Sequence, residues 1–161
     1  MKILVVSDTH GDSERLLEVA DENKDFDVLI HLGDGERDFR DLEFKYPNKG
    51  LVYVGGNCDY GMHPDEHVAI AKGQKFFCCH GHRYGVNYGI ELLTNAAIEN
   101  ECGFALYGHT HVPKIETLNG VQIMNPGSLT LPRGGSKRSY GVIEISDRGD
   151  VQMQIVPFEK W

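Results

Sequence analysis

Five short polar clusters carry the residue types of metal chemistry. They are Asp8-Thr9-His10, Gly33-Asp34, Gly56-Asn57-Cys58-Asp59, His80-Gly81-His82 and Gly108-His109-Thr110-His111. Asp-x-His and His-x-His each place two side chains on the same side of an extended segment. Carboxylate, amide and imidazole donors together suit a borderline divalent cation such as Mn2+, Fe2+ or Zn2+. No Cys-rich pattern of the structural zinc kind accompanies them. Gly33, Gly56, Gly81 and Gly108 let the backbone turn sharply beside a ligand. A single Asp or His after a strand means little, and the ordered repetition is the signal.

Each cluster follows a short apolar run rich in β-branched residues. Ile3–Val6, Asp27–His31 and Leu51–Val54 read as buried strands, and Phe76–Cys79 and Phe104–Tyr107 resemble them. Helical patterns lie between the first three. Asp12 is an N-cap ahead of Leu16, Leu17 and Ala20. Over Glu36–Tyr46, Phe39, Leu42 and Tyr46 share a face, and Ile90, Leu93, Thr94 and Ala97 form a later stripe. Alternating strands and helices imply a layered α/β fold with parallel pairing. The polar clusters then fall in the crevice beyond the strands' carboxyl ends, where open α/β sheets bind ligands. In the last third, Lys114–Leu118 and Val121–Met124 flank Asn119-Gly120, the signal of a type I′ hairpin. Tyr140–Ile145 and Val151–Val156 continue as strands around Arg148-Gly149-Asp150. This mostly antiparallel part is expected to form a second sheet packed on the first, giving an α/β/β/α sandwich.

The chain has 161 residues and a net charge of −8, with eight histidines. Its length suits one domain over residues 1–161. The acidic balance argues against a clamp for long nucleic acid and against an anionic-membrane binder. No apolar run approaches the roughly 20 residues that span a bilayer. Cys58, Cys78, Cys79 and Cys102 make no C-x-x-C pair, which points to a reducing compartment and a cytoplasmic protein.

The order D-x-H, G-D, G-N-x-D, H-G-H, G-H-T-H resembles the calcineurin-like metallophosphoesterases over about residues 3–130. The short length, Gly56-Asn57-Cys58-Asp59 and Asn125-Pro126-Gly127-Ser128 are similar to the small prokaryotic phosphodiesterase branch, which shares its fold with the retromer subunit. The resemblance implies a four-layer sandwich of two mixed sheets flanked by helices. It implies two divalent metal ions, with Mn2+ preferred and Fe2+, Zn2+ or Ni2+ as alternatives. Asp8, His10 and His111 would bind one ion, Asn57, His80 and His109 the other, and Asp34 would bridge them. A bridging hydroxide would attack phosphorus in line, with the cations about 3.5–4 Å apart. The two carboxylates and that hydroxide leave the site near +1, suited to an anionic ester. Asp34, Asn57, Cys58 and Asp59 are the implied catalytic residues.

One departure stands out. Many relatives carry a histidine after the motif asparagine, and here that position is Cys58. A thiol donates a proton less readily than imidazolium, which implies slower turnover and esters with good leaving groups. The expected function is a phosphodiesterase for a small organic phosphodiester. The alternatives are a phosphomonoesterase or nuclease on the same site, or a non-catalytic scaffold of the same fold. A homodimer or homo-oligomer is compatible with the sequence.

Other residues have plainer readings. His31 lies inside a strand and reads as a hydrogen-bonded core or supporting histidine. His82 could touch substrate or simply belong to the loop. His63 and His67 sit in a polar segment and read as solvated. Asn125–Ser128 is a turn whose backbone could close one side of the site. Tyr60 and Tyr84 could stack on a substrate ring or lie on the surface, and Lys137-Arg138 reads as an ordinary loop.

Overall fold

The computed structural model describes residues 1–160. Strand β1 (Lys2–Val6) alternates between two cores, with Leu4 and Val6 on one face and Ile3 and Val5 on the other. It is buried on both sides, so every residue from Ile3 onward is apolar. β2 (Val28–His31) and β3 (Gly50–Tyr53) follow in parallel register, Val5 beside Ile30 and Ile30 beside Val52. The intervening helices are α1 (Ser13–Glu22) and α2 (Glu36–Lys45). Asp12 caps α1 by accepting from the Arg15 N–H at 3.1 Å, as its sequence position predicts. Leu16, Val19 and Ala20 of α1 and Phe39 and Leu42 of α2 pack on the outer face of this sheet.

The second sheet begins earlier than the composition of the last third suggests. β4 (Glu66–Ala71) turns back through Lys72-Gly73 onto β5 (Gln74–Cys79). Both turn residues have positive φ, 46° and 78°, the geometry of a type I′ hairpin. β6 (Phe104–Leu106) lies parallel to β5, and α3 (Glu91–Glu99) covers the outer face of this sheet through Leu93, Ala96 and Ala97. β7 (Lys114–Leu118) and β8 (Val121–Asn125) form the expected hairpin, with Asn119 and Gly120 both at positive φ.

The final hairpin, β9 (Ser139–Ile145) and β10 (Val151–Pro157), corrects one expectation. It returns to the first sheet, antiparallel to β1, and does not extend the second. The strand orders are β10-β9-β1-β2-β3 and β4-β5-β6-β8-β7. The physical reason lies in β1, whose free edge would otherwise leave buried N–H and C=O groups unpaired. Gly141 permits this placement, because a Cβ there would lie 2.5 Å from the Met124 sulfur of the facing sheet.

Three apolar clusters therefore separate four layers. One lies between α1, α2 and the first sheet, one between the sheets, and one between the second sheet and α3. The fold is an α/β/β/α sandwich of two mixed sheets.

Candidate metal centre

The five polar clusters follow the carboxyl ends of β1, β2, β3, β5 and β6 and meet where the two sheets adjoin. Backbone hydrogen bonds carry the strand pairing into these loops. Asp8 N–H donates to Gly33 O at 3.0 Å, His10 N–H to Asp34 O at 2.9 Å, and Gly108 N–H to His80 O at 2.9 Å. The path is strained at the residues that matter. Asp8, His10, Asp34, His109 and His111 all have φ between 46° and 68°, five of the eight described non-glycine residues with positive φ. A bulky residue holds that conformation only where its surroundings force it, and such strain gathers at functional sites.

The side chains form two adjoining groups. In the first, His111 Nε2 lies 3.1 Å and His10 Nε2 3.7 Å from Asp8 Oδ1. The two ring nitrogens are 3.3 Å apart. In the second, His80 Nε2 lies 3.0 Å from Asn57 Oδ1 and 3.2 Å from His109 Nδ1. Asp34 Oδ2 stands between them, 3.3 Å from His80 Nε2 and 3.9 Å from His10 Nε2. All seven residues named in the sequence as metal ligands are thus brought together.

Four of the seven ligand-type side chains are fastened by the atom facing away from the centre. His80 Nδ1 donates to Leu32 O and His111 Nδ1 to Leu131 O, both at 2.6 Å, so each Nε2 presents a lone pair inward. Asp8 Oδ2 accepts from Ser7 Oγ at 2.6 Å and His109 N–H at 3.0 Å. Asp34 Oδ1 accepts from Cys58 N–H at 2.8 Å. The remaining Asp8 oxygen, Oδ1, is buried without a hydrogen-bond partner among the described residues. A buried, unpartnered carboxylate oxygen facing imidazole lone pairs costs free energy unless a cation sits there. The donor set and this orphan oxygen fit divalent metal ions.

The titration behaviour agrees with that fit. Burial alone would raise the Asp8 carboxyl, yet the adjoining His10 and His111 rings and the charge of His80 hold it well below the usual range. Burial would likewise raise Asp34, and the His80 ring and the Cys58 N–H outweigh it, so this carboxyl too is lowered. His10 is pushed up by its Asp8 contact, and His80 is pushed up by Asp34 and Asp8 against its burial. His109 is lowered by burial and the neighbouring His80 charge.

The two other sequence candidates differ in role. Cys58 is exposed, and its thiol groups with His10 and Asp34 at ligand spacing. Burial of the sulfur and the Asp34 charge push the thiol up, so it keeps its proton at neutral pH. Asp59 turns away from the centre. Its Oδ2 accepts from Tyr53 OH at 2.6 Å, Gly56 N–H at 2.8 Å and Asp34 N–H at 3.0 Å. Its Oδ1 accepts from Glu36 N–H at 3.3 Å, at the start of α2. Asp59 is a positioning residue.

Several supporting groups surround the centre. Ser128 Oγ donates to Asp8 O at 2.7 Å, and Asn125 Nδ2 donates to Gly108 O and Thr110 Oγ1, both at 2.9 Å. The Asn125–Ser128 turn thus braces the site through side chains, where a backbone wall was expected. His31 is fully buried. Gly33 N–H donates to its Nδ1 at 3.2 Å, so Nε2–H donates to Thr9 Oγ1 at 3.0 Å, and the Thr9 hydroxyl in turn donates to Asp38. His82 stands beside His80 and His109, its ring centroid 5.4 and 6.1 Å away. His63 is not simply solvated, since its ring packs on Tyr53 and its Nδ1 meets Glu36 at 2.9 Å. His67 lies exposed on β4. Tyr84 is half-buried and donates to Glu66. Lys137 pairs with Glu159 at 3.7 Å.

Comparison with known proteins agrees with this geometry. Residues 1–148 match the model of the calcineurin-like phosphoesterase superfamily domain. A probable metallophosphoesterase of Bacillus subtilis, YsnB, is 33% identical over 149 residues, covering 91% of this chain and 86% of that protein. The phosphodiesterase YfcE of Escherichia coli is 32% identical over 104 residues, covering 58% of this chain and 52% of that one. A predicted phosphoesterase from Streptococcus pneumoniae has a crystal structure that superposes with a TM-score of 0.83 at 32% identity, over 97% of this chain and 88% of that chain. Vps29 from Entamoeba histolytica shares the fold, with a TM-score of 0.76 at 20% identity over 99% and 100% of the two chains. Among the described residues no helix is long and apolar enough to cross a membrane. Taken with the clustered carboxylates and imidazoles, the match over residues 1–148 establishes that the chain belongs to the calcineurin-like phosphoesterase superfamily.

Proposed function

We propose that the chain is a metal-dependent phosphodiesterase acting on a small organic phosphodiester, working as one domain over residues 1–161. The observation that supports it most directly is Asp34 Oδ2, placed 3.3 Å from His80 Nε2 and 3.9 Å from His10 Nε2. One carboxylate oxygen shared by two donor groups suits a pair of cations. Asp8, His10 and His111 would hold one, Asn57, His80 and His109 the other, with Asp34 between. Such a pair, when bound, lowers the pKa of shared water and neutralises charge at phosphorus. The Cys58 N–H fixes Asp34 for the bridging role, and Ser7 and the His109 N–H fix Asp8. The Cys58 thiol stands with His10 and Asp34 and is the nearby donor for a departing oxygen. A thiol is a weak acid, so diesters with good leaving groups are favoured. In this reading Mn2+ is the activating ion and the cytoplasm the compartment. The −8 net charge disfavours long nucleic acid as substrate.

The test is hydrolysis of bis(4-nitrophenyl) phosphate after chelation and after Mn2+ is restored. Activity is expected to vanish with chelator, return with Mn2+, and be lost in Asp34→Ala and His109→Ala. Undiminished turnover without metal would sink the proposal. Faster turnover of 4-nitrophenyl phosphate than of the diester would make the protein a phosphomonoesterase. Two bound ions with no turnover on any phosphoester would make it a scaffold.

A further inference from the structure

We infer that Tyr60 and Arg37 form a subsite for a planar aromatic ester group, so that the preferred substrate is a phosphodiester carrying an aryl or nucleobase ring. The inference rests on the phosphodiesterase reading above and names its substrate class. A cleft of about 240 Å3 is lined by both His10, Asp34 and Cys58 of the metal centre and by Arg37 and Tyr60. It is slightly smaller than the roughly 300 Å3 of small-ligand pockets, which suits one small ester. Tyr60 follows Cys58 by two residues, a span of at most about 7 Å of chain. A ring attached to phosphorus through oxygen reaches over a similar distance.

An exposed tyrosine on a loop is ordinary, and Tyr60 differs by how firmly it is held while remaining bare. Its side chain is 72% exposed. Its N–H donates to the Oε2 of buried Glu36 at 3.0 Å, and that carboxylate also meets His63. Its hydroxyl accepts from Arg37 Nη2 at 3.2 Å, and the guanidinium carbon lies 5.4 Å from the ring centroid. The ring is therefore oriented before any ligand arrives, which lowers the entropy cost of binding. Arg37 has no carboxylate within ion-pair distance among the described residues, in a chain of net charge −8. A fixed, open π-face beside a guanidinium without a carboxylate partner recognises a planar ring attached to an anion.

The experiment measures calorimetric binding to the Mn2+-loaded protein, so it does not depend on turnover. The probes are diphenyl phosphate, adenosine 5′-methyl phosphate and diethyl phosphate. Diphenyl or adenosyl ester is expected to bind more tightly than diethyl phosphate. Tyr60→Ala is expected to weaken the ring-bearing probes about tenfold and diethyl phosphate less than twofold, while Tyr60→Phe retains the preference. In kinetics, Tyr60→Ala is expected to raise KM for bis(4-nitrophenyl) phosphate with kcat unchanged. Whichever ring-bearing probe loses more affinity identifies the ring, phenyl or nucleobase. An unchanged ratio of ring-bearing to diethyl affinity in Tyr60→Ala would overturn the subsite. Metal-dependent hydrolysis that persists beside an unchanged ratio removes the subsite alone. A shifted ratio without any hydrolysis removes the phosphodiesterase reading and leaves the subsite.

Discussion

Replacing Asp59 by asparagine probes how the second half of the centre is held in place. The wild-type carboxylate accepts four hydrogen bonds, from Tyr53 OH at 2.6 Å, Gly56 N–H at 2.8 Å, Asp34 N–H at 3.0 Å and Glu36 N–H at 3.3 Å. Asparagine keeps the shape and one acceptor oxygen. With that oxygen facing Tyr53, Gly56 and Asp34, three bonds survive but lose their charge assistance, about 1 kcal/mol each. The new NH2 then faces the Glu36 N–H, so the fourth bond is lost, and about 0.3–1 kcal/mol of favourable charge at the N-terminus of α2 goes with it. Partial exposure of the loop softens these losses, and the expected destabilisation is about 2–3 kcal/mol. Two of the four donors precede or belong to residues of the centre, so the substitution also disturbs Asp34 and Asn57. Metal affinity should fall about 10–100-fold, as for other residues that orient ligands. Urea unfolding in chelator gives the first quantity, and calorimetric Mn2+ titration gives the second. A companion variant, Tyr53→Phe, removes one donor to Asp59 and strands the Gly35 N–H that bonds the hydroxyl at 2.9 Å, costing about 1–3 kcal/mol. If Asp59→Asn costs less than about 0.5 kcal/mol, the range of ordinary surface changes, and Mn2+ binds as before, then Asp59 does not organise this site.

Three further outcomes are expected. Mn2+ at 100 times its dissociation constant should stabilise the chain by about 2.7 kcal/mol per site, seen as a rise in Tm that chelator reverses; equal Tm with and without metal would contradict the donor geometry. Gly56→Ala places a Cβ 2.6 Å from the Asp34 backbone nitrogen and against its carboxylate, so Mn2+ affinity and activity should drop more than tenfold while circular dichroism stays native. His31 is buried with its pKa pushed down to about 4 by desolvation, so it is neutral when folded. Its stability contribution is complete above the ordinary histidine value of about 6.5 and is lost as pH falls from there to about 4, on the order of 3 kcal/mol. Unfolding of metal-free wild type and His31→Gln across that window should differ in slope by this amount. Parallel curves would show that His31 is not a buried neutral group.

Much of the layered fold was legible in the order of apolar runs and caps. Ile3–Val6 reads as a doubly buried strand because each residue faces a core on alternate sides. Asp12 and the Leu16–Ala20 stripe mark α1, and Asn119-Gly120 marks a hairpin whose two positive φ angles those residue types tolerate. β4 was not legible, since Glu66–Ala71 is an edge strand that opens on Glu66 and His67 and has three of its six residues exposed. The destination of β9 and β10 was not legible either. A strand pattern states which faces are apolar and is silent about which edge accepts it, and here the open edge of β1 decides.

The seven ligand-type residues were visible because Asp, Asn and His recur after strand ends in a fixed order, and residue chemistry is a local property. Their supports were not visible. The Leu32 and Leu131 carbonyls that orient His80 and His111 belong to backbone that any residue supplies. The turn of Asp59 onto four donors and the unpartnered Asp8 oxygen arise only when β1, β2, β3 and β6 converge. Sequence alone determined the inventory of donors and the strands that deliver them. Tertiary structure decided which atom of a donor faces inward, because that depends on what occupies its other atom, and those partners lie up to 101 residues away.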